Sequence, residues 1–310
     1  MTKVFIDGKA GTTGLRIYER LSERSDIEII SLAEEERKSP EARKRALNSC
    51  DVAFLCLPDD AAREAVSMIE NENVIVIDAS TAHRTNESWA YGFPEISKKV
   101  EEKLLSSKRI AVPGCHASGF IALVYPLVEC GALSPDALLS CHSLTGYSGG
   151  GKKMIGEYES QDRDFIYDAP RQYALGQTHK HIPEMKAITG IENAPLFCPI
   201  VADFYSGMLV TVPIFKSQLR EGYDIESVKK IFRDKYNSEI VKYEECLDSG
   251  AMLSANAIRG KDSMRVAVYG NEDRILLTAL YDNLGKGASG AAIQCMNMVL
   301  GIDKTIGLVL

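Results

Sequence analysis

Long basic runs, long apolar runs and paired cysteine motifs are all missing from this chain, and each absence removes a class of function. No cluster of Lys and Arg is dense enough to track a nucleic-acid backbone, and 36 Lys+Arg against 43 Asp+Glu leave a net charge of −7. Nucleic acid is therefore not expected as a partner. No apolar run approaches the roughly 20 residues of a membrane span, so no membrane partner is expected. Met1-Thr2-Lys3 passes straight into Val4-Phe5-Ile6 without the charged-then-apolar opening of a secretory signal, and the chain reads as cytoplasmic. The eight cysteines include no CxxC and no Cys/His pair at zinc-finger spacing, which argues against a disulfide framework and a structural zinc site. No internal repeat or low-complexity segment is present.

What is there is an ordinary globular composition on 310 residues, long enough that two domains are expected. The chain opens with an apolar run, Val4 to Asp7, then Gly8-Lys9-Ala10-Gly11-Thr12-Thr13-Gly14, then Leu15, Ile17, Tyr18 and Leu21 at helical spacing. Strand, glycine loop and helix in that order suit a pyrophosphate, because glycine lets backbone approach closely and the helix N-terminus faces the charge. The spacing is GxxGxxG rather than GxGxxG. A second strand is expected over 27–32, where NAD enzymes usually carry an acidic residue. Here it ends near Ser31, with Glu34 to Glu36 and then Arg37 and Lys38 following. The two cations favour a 2′-phosphate, hence NADP over NAD, although such a charge run also suits a plain solvated loop.

Two further apolar runs, 51–58 and 74–78, lack alternation, as strands covered on both faces do. The first domain is therefore an α/β, doubly wound (Rossmann) parallel sheet. Arg84 lies in the loop after the latter run, where open α/β sheets bind ligands, and could grip an anionic substrate. A last strand, Ile110 to Val112, delivers Pro113-Gly114-Cys115-His116-Ala117-Ser118-Gly119. A cysteine in such a turn lies near a helix N-terminus, which stabilises thiolate over thiol. It reads equally as a nucleophile or as a small buried filler.

Beyond Cys115 the runs at 138–144, 208–214, 265–269 and 274–280 point to a second, α+β domain with an antiparallel or mixed sheet. The stretch Gly146 to Lys153 looks too flexible for regular structure, and is either a linker or an anion-binding loop. His179-Lys180-His181-Ile182-Pro183 places two histidines just upstream of a helix, since proline suits the first helical turn. No third ligand at metal spacing accompanies them, so no metal is expected and acid/base work is. The small residues after Asp282-Asn283-Leu284-Gly285 lead into a closing helix that can pack tightly.

Taken in order, the glycine loop, Pro113-Gly114-Cys115, His179-Lys180-His181-Ile182-Pro183-Glu184, Gly207 to Pro213 and Asp282 to Ala288 resemble the N-acetyl-gamma-glutamyl-phosphate reductase family in its shorter form. His116-Ala117-Ser118 stands where that family more often has Tyr-Ala-Thr. The resemblance implies the fold of the aspartate-semialdehyde and glyceraldehyde-3-phosphate dehydrogenase superfamily, with the C-terminal helix returning to the first domain. It implies domains over 1–115 with 285–310 and over 116–284, and a homo-oligomer, dimer or tetramer. It also implies NADPH-dependent reduction of an acyl phosphate with release of inorganic phosphate in arginine biosynthesis. Cys115 would form the thioester, His181 would act as acid/base and His179 would lie nearer the substrate carboxylate. Asn283 would meet the nicotinamide carboxamide, with Gly149 and Gly150 near the cofactor phosphates. Reductases of aspartyl or aminoadipyl phosphate share this pattern, and a dinucleotide-sensing binding protein could keep the fold without catalysis.

Overall fold

Why the early apolar runs lack alternation is plain from where their side chains go. The computed structural model describes residues 1–310. In chain order it begins with β1 (Thr2–Asp7), α1 (Thr12–Ser22), β2 (Ile27–Ile30), α2 (Pro40–Ser49), β3 (Val52–Leu55) and α3 (Asp59–Ser67). There follow β4 (Ile75–Asp78), β5 (Ala90–Tyr91), α4 (Lys98–Ser106) and β6 (Arg109–Ala111). The six strands are parallel, in the order β2-β1-β3-β4-β6-β5. Val4, Ile6, Val52 and Phe54 enter one core, and Phe5, Ala53 and Leu55 enter the other. Successive residues of a strand point to opposite faces, and here both faces are covered. The helices start on built caps: Ser39 Oγ accepts from Ala42 N at 3.3 Å with Pro40 in the first turn, and Ser97 Oγ accepts from Val100 N at 3.2 Å. The charged run Glu34–Lys38 is a 3₁₀ turn.

The rest of the chain adds α5 (Cys115–Glu129), β7 (Ser140–Gly146), α6 (Gly151–Glu159), β8 (Arg171–Gln172), α7 (Ile182–Thr189), β9 (Leu196–Ala202) and β10 (Met208–Phe215). After these come α8 (Ile225–Lys235), β11 (Val241–Tyr243), β12 (Met264–Gly270) and β13 (Arg274–Tyr281). They form a mixed sheet, ordered β11-β12-β13-β10-β7-β9-β8. Along β10 buried and half-buried residues alternate, as expected of a sheet with helices on one face. Two local expectations fail. Residues 146–153 are regular, a 3₁₀ turn over Tyr147–Gly150 leading into α6, because Gly151 takes a φ of +72° that sets the helix off. Strand β9 was not expected, since Pro199 lies inside it. Its neighbour on that side, β8, is only two residues long, so few ladder bonds are forgone.

Helix α5 is buried on nearly every side and is interrupted by Pro126, which has no N–H for the carbonyl of Ala122. The hydroxyl of Tyr236 donates to that carbonyl at 2.7 Å, so the broken helical bond is replaced rather than lost. The chain closes with α9 (Gly290–Val299), whose Ala291, Ala292, Ile293 and Met296 join the core of the first sheet. Gln294 Nε2 donates to Glu95 Oε1 at 2.6 Å, and Arg24 Nη1 to Asn297 Oδ1 at 2.7 Å. The chain thus divides into two compact units, Met1–Gly114 with Ala288–Leu308, and Cys115–Gly287 with Val309–Leu310. Cys115 opens the second unit rather than closing the first, because its main chain is tied to β13. No helix is long and apolar enough to cross a membrane.

Candidate active site

Cys115 is the first residue of α5 and is half-buried, so its thiol lies at the positive end of a helix with solvent access. The Tyr281 hydroxyl donates to Cys115 O at 2.5 Å and accepts from Gly119 N at 3.1 Å. The phenol thus bridges the carbonyl and the N–H of one helical turn and staples the start of α5. A Cβ at Gly119 would lie 2.7 Å from that hydroxyl and 2.5 Å from Val210 Cγ2, which accounts for the glycine ending the motif. Gly287, in the π-helical turn Gly285–Ser289, lies so near that a Cβ there would be 3.1 Å from Cys115 Cβ. Burial holds the Tyr281 phenol far above its usual range, and a charge on Cys115 pushes it the same way.

Both predicted histidines belong to this cluster. The ring of His116, adjacent to the thiol in the chain, lies 5.6 Å from that of His181 and 5.8 Å from that of His179, which are themselves 4.7 Å apart. Pro183 lies in the first turn of α7 and His181 at its N-cap, as the motif suggested. His181 is buried. His179 is half-buried and its Nδ1 accepts from the His181 main-chain N–H at 3.2 Å, which leaves the ring proton on Nε2 as a donor. Burial, aided by Lys180, lowers His179 to about 4, so it works as a neutral imidazole. Burial takes His116 lower still, to about 3, with His179 adding to the shift.

In the first unit the glycine turn has the shape a dinucleotide needs. Gly8 has φ +86°, and a Cβ on Gly14 would lie 2.5 Å from Gly8 O, so helix and loop pack closer than any side chain permits. Gly11 N donates to Gly8 O at 3.0 Å, Gly11 caps α1, and Thr12 and Thr13 open it. A cavity of about 500 Å³ beside the turn is lined by Gly8, Ser31, Arg37 and Lys38, and also by Arg43. Arg43 was not singled out from sequence. It reaches the cavity from α2, held by Asp7 Oδ2 at 3.0 Å and Glu64 Oε2 at 3.1 Å, and no pattern in the chain marks that geometry. With glycines where side chains could not fit and cations around the cavity, the residues suit an adenosine carrying a phosphate.

Arg84, expected at the substrate, is tied to the main chain through two of its nitrogens. It is buried, its Nε donates to Val112 O at 2.8 Å and its Nη2 to Ala79 O at 3.0 Å. These two bonds brace the strand end leading to Cys115. Asn283 and Gly149 do come together, the Asn283 amide lying 3.5 Å from where a Gly149 Cβ would be. Asn283 Oδ1 accepts from Gly207 N at 2.9 Å and its Nδ2 donates to Ser148 Oγ at 3.0 Å, which fixes the amide's orientation. Gly150 follows in the same turn. Sequence reading also passed over Tyr281, whose only signal is its place at the end of an apolar strand directly before Asp282-Asn283.

Known proteins resemble the chain along nearly its whole length. The family description "semialdehyde dehydrogenase, NAD binding domain" matches residues 3–103, and "semialdehyde dehydrogenase, dimerisation domain" matches 115–283. The chain is 43% identical over 318 residues to N-acetyl-gamma-glutamyl-phosphate reductase 2 of a Nostoc species, covering 99% of both chains. It is 43% identical over 306 residues to the N-acetyl-gamma-glutamyl-phosphate reductase of Brucella ovis, covering 96% of this chain and 99% of that one. Among solved structures, aspartate semialdehyde dehydrogenase II of Vibrio cholerae superposes with a TM-score of 0.72 at 15% identity over 97% and 98% of the chains. A probable aspartate-semialdehyde dehydrogenase of Pseudomonas aeruginosa gives 0.73 at 17% over 96% and 98%. At such identities these structures speak for the fold.

Proposed function

The chain belongs to the N-acetyl-gamma-glutamyl-phosphate reductase family, and from that premise we propose that it reduces N-acetyl-L-glutamyl 5-phosphate to the 5-semialdehyde, with release of phosphate, in arginine biosynthesis. The observation that carries this reading is a half-buried thiol at the head of α5, stapled by Tyr281 and followed in the chain by His116, whose ring lies 5.6 Å from that of His181, in a chain 43% identical along its length to reductases of that name. The aspartate-specific alternative rests on structures at 15–17% identity, which bear on fold alone.

Cys115 attacks the acyl carbon as thiolate, a carbon–sulfur bond forms, and phosphate leaves with the electron pair of the broken carbon–oxygen bond. NADPH, when bound, supplies the hydride that takes the thioester to the hemithioacetal level. His181 takes the thiol proton at the start and returns a proton to the hemithioacetal oxygen. Collapse then frees aldehyde and thiol. His179, neutral with its proton on Nε2, donates to the substrate carboxylate. Gly8, Gly11, Thr12, Thr13 and Gly14 hold the pyrophosphate. Ser31, Arg37 and Lys38, with Arg43 behind them, hold the 2′-phosphate and set the preference for NADPH. Asn283, Gly149 and Gly150 receive the nicotinamide carboxamide and neighbouring phosphates.

The second unit carries a dimerisation domain. We assign the contact to its open apolar patch, where Leu138, Leu196, Phe215 and Leu276 are all exposed around one cavity, a surface of the sort that pairs between copies. Phosphate-dependent reduction of NADP with N-acetylglutamate semialdehyde, run beside aspartate semialdehyde and an N-blocked aminoadipate semialdehyde, tests the substrate. A preference for either of the others would overturn the acyl chain named here.

A further inference from the structure

Three polar side chains, one of them on the residue that follows Cys115, form a line that the chemistry above leaves unused. Ser143 Oγ lies 2.6 Å from His116 Nδ1, and Tyr173 Oη lies 2.6 Å from His116 Nε2. Ser143 is fully buried, His116 nearly so, and Tyr173 is half-buried. A neutral imidazole has one donor and one acceptor, so the line runs in one of two senses. If Tyr173 donated to Nε2, Nδ1–H would donate to Ser143, and the serine's own proton would have nowhere to go, since His116 is the hydroxyl's only hydrogen-bond partner. If Ser143 donates to Nδ1, then Nε2–H donates to Tyr173 and every buried group is satisfied. A buried unmatched hydroxyl costs about 1–3 kcal/mol, which selects the second sense. The proton left over is that of Tyr173, the one member of the line with access to the site.

The backbone holds Tyr173 firmly in this place. Ala174 and Gln177 take φ of +53° and +55°, conformations that non-glycine residues keep only when their surroundings impose them. The Gln177 amide grips Phe197 of β9 with both its atoms, accepting from Phe197 N at 2.9 Å and donating to Phe197 O at 2.8 Å, while Tyr173 N donates to Pro199 O at 3.1 Å. Burial pushes the Tyr173 phenol far above its usual value, and a charge on Cys115 adds to this, so the phenol keeps its proton at neutral pH.

We propose that Tyr173 is a catalytic hydrogen-bond donor to the acyl oxygen as it becomes an oxyanion, and that Ser143 and His116 are positioning residues that turn its proton outward. This rests on the Cys115 reading above. Tyr173→Phe should lower kcat about 10²-fold with KM little changed, the usual consequence of removing one oxyanion donor. Ser143→Ala should lower kcat about tenfold, as for one neutral hydrogen bond. In the Tyr173→Phe background it should add nothing, because it acts only through that hydroxyl. Nitrogen-15 spectra of histidine-labelled protein should show His116 as the Nε2–H tautomer from pH 5 to 8. An Nδ1–H tautomer, additive losses, or a Tyr173→Phe variant with normal kcat would each overturn the proposal. Loss of turnover in Cys115→Ser alongside a normal Tyr173→Phe would sink this proposal alone. Turnover surviving in Cys115→Ser would sink the reading beneath it.

Discussion

A buried imidazole keeps its neutrality at a cost that depends on pH. His116 falls from 6.5 to about 3 because burial penalises the cation. As pH drops below about 6.5 the unfolded chain takes up that proton and the native one does not. Its contribution to stability is therefore whole above about pH 6.5 and is lost on the way down toward 3, at up to about 1.4 kcal/mol per pH unit. Urea midpoints at pH 7 and 5 should differ less in His116→Gln than in the parent; equal slopes would mean the folded protein protonates His116. The two helix-entry histidines should separate kinetically. His181→Asn should lower kcat roughly 10²–10⁴-fold, whereas His179→Asn should chiefly raise KM, since binding shared by ground and transition states leaves kcat alone. Normal kcat in both variants would remove the assignment. Replacing Arg37 and Lys38 together by alanine should narrow the gap between NADPH and NADH affinity. Titrations showing no gap in the parent would cancel the 2′-phosphate reading. The place of Cys115 at a helix head was legible because strand, Pro-Gly turn and helix surround it. Tyr173 and Ser143 were not, because nothing local marks a side chain whose partner lies 57 or 27 positions away.

Helix α5 shows how an element with a bond broken by proline can still form the centre of a unit. Tyr281 stands in its first turn and Tyr236 answers Pro126 further on. Tyr236→Phe should cost about 1–3 kcal/mol by leaving the buried Ala122 carbonyl unpaired. Adding Pro126→Ala should recover much of that, because alanine restores the main-chain donor. If the double variant is no more stable than Tyr236→Phe, the carbonyl is not what the hydroxyl serves. Strands β10, β12 and β13 were legible from apolar runs of the right length. Strand β9 was hidden by Pro199, and α6 by the glycine run 149–151 that opens it, since glycine marks both a flexible loop and the positive φ that starts this helix. The burial of Arg84 was not legible, because a loop position says nothing about it.

For the molecule as a whole, the order of motifs along the chain made the fold readable more surely than any one of them, and the two sheets with a returning α9 match it. How copies assemble was not readable, since exposed apolar residues are scattered through any sequence and become a patch only when β7, β9, β10 and β13 are laid side by side. Phe215→Glu with Leu196→Lys should yield monomers by light scattering while the fold survives. An unchanged mass would move the contact elsewhere. The central claim, a thioester on Cys115, is tested most directly by withholding the nucleophile that resolves it. Mixed with N-acetylglutamate semialdehyde and NADP but no phosphate, the enzyme should give a burst of NADPH equal to its sites and stop, with an acetylglutamyl adduct on the Cys115 peptide that phosphate then releases. Steady turnover without phosphate, or a burst that leaves Cys115 unmodified, would contradict the account.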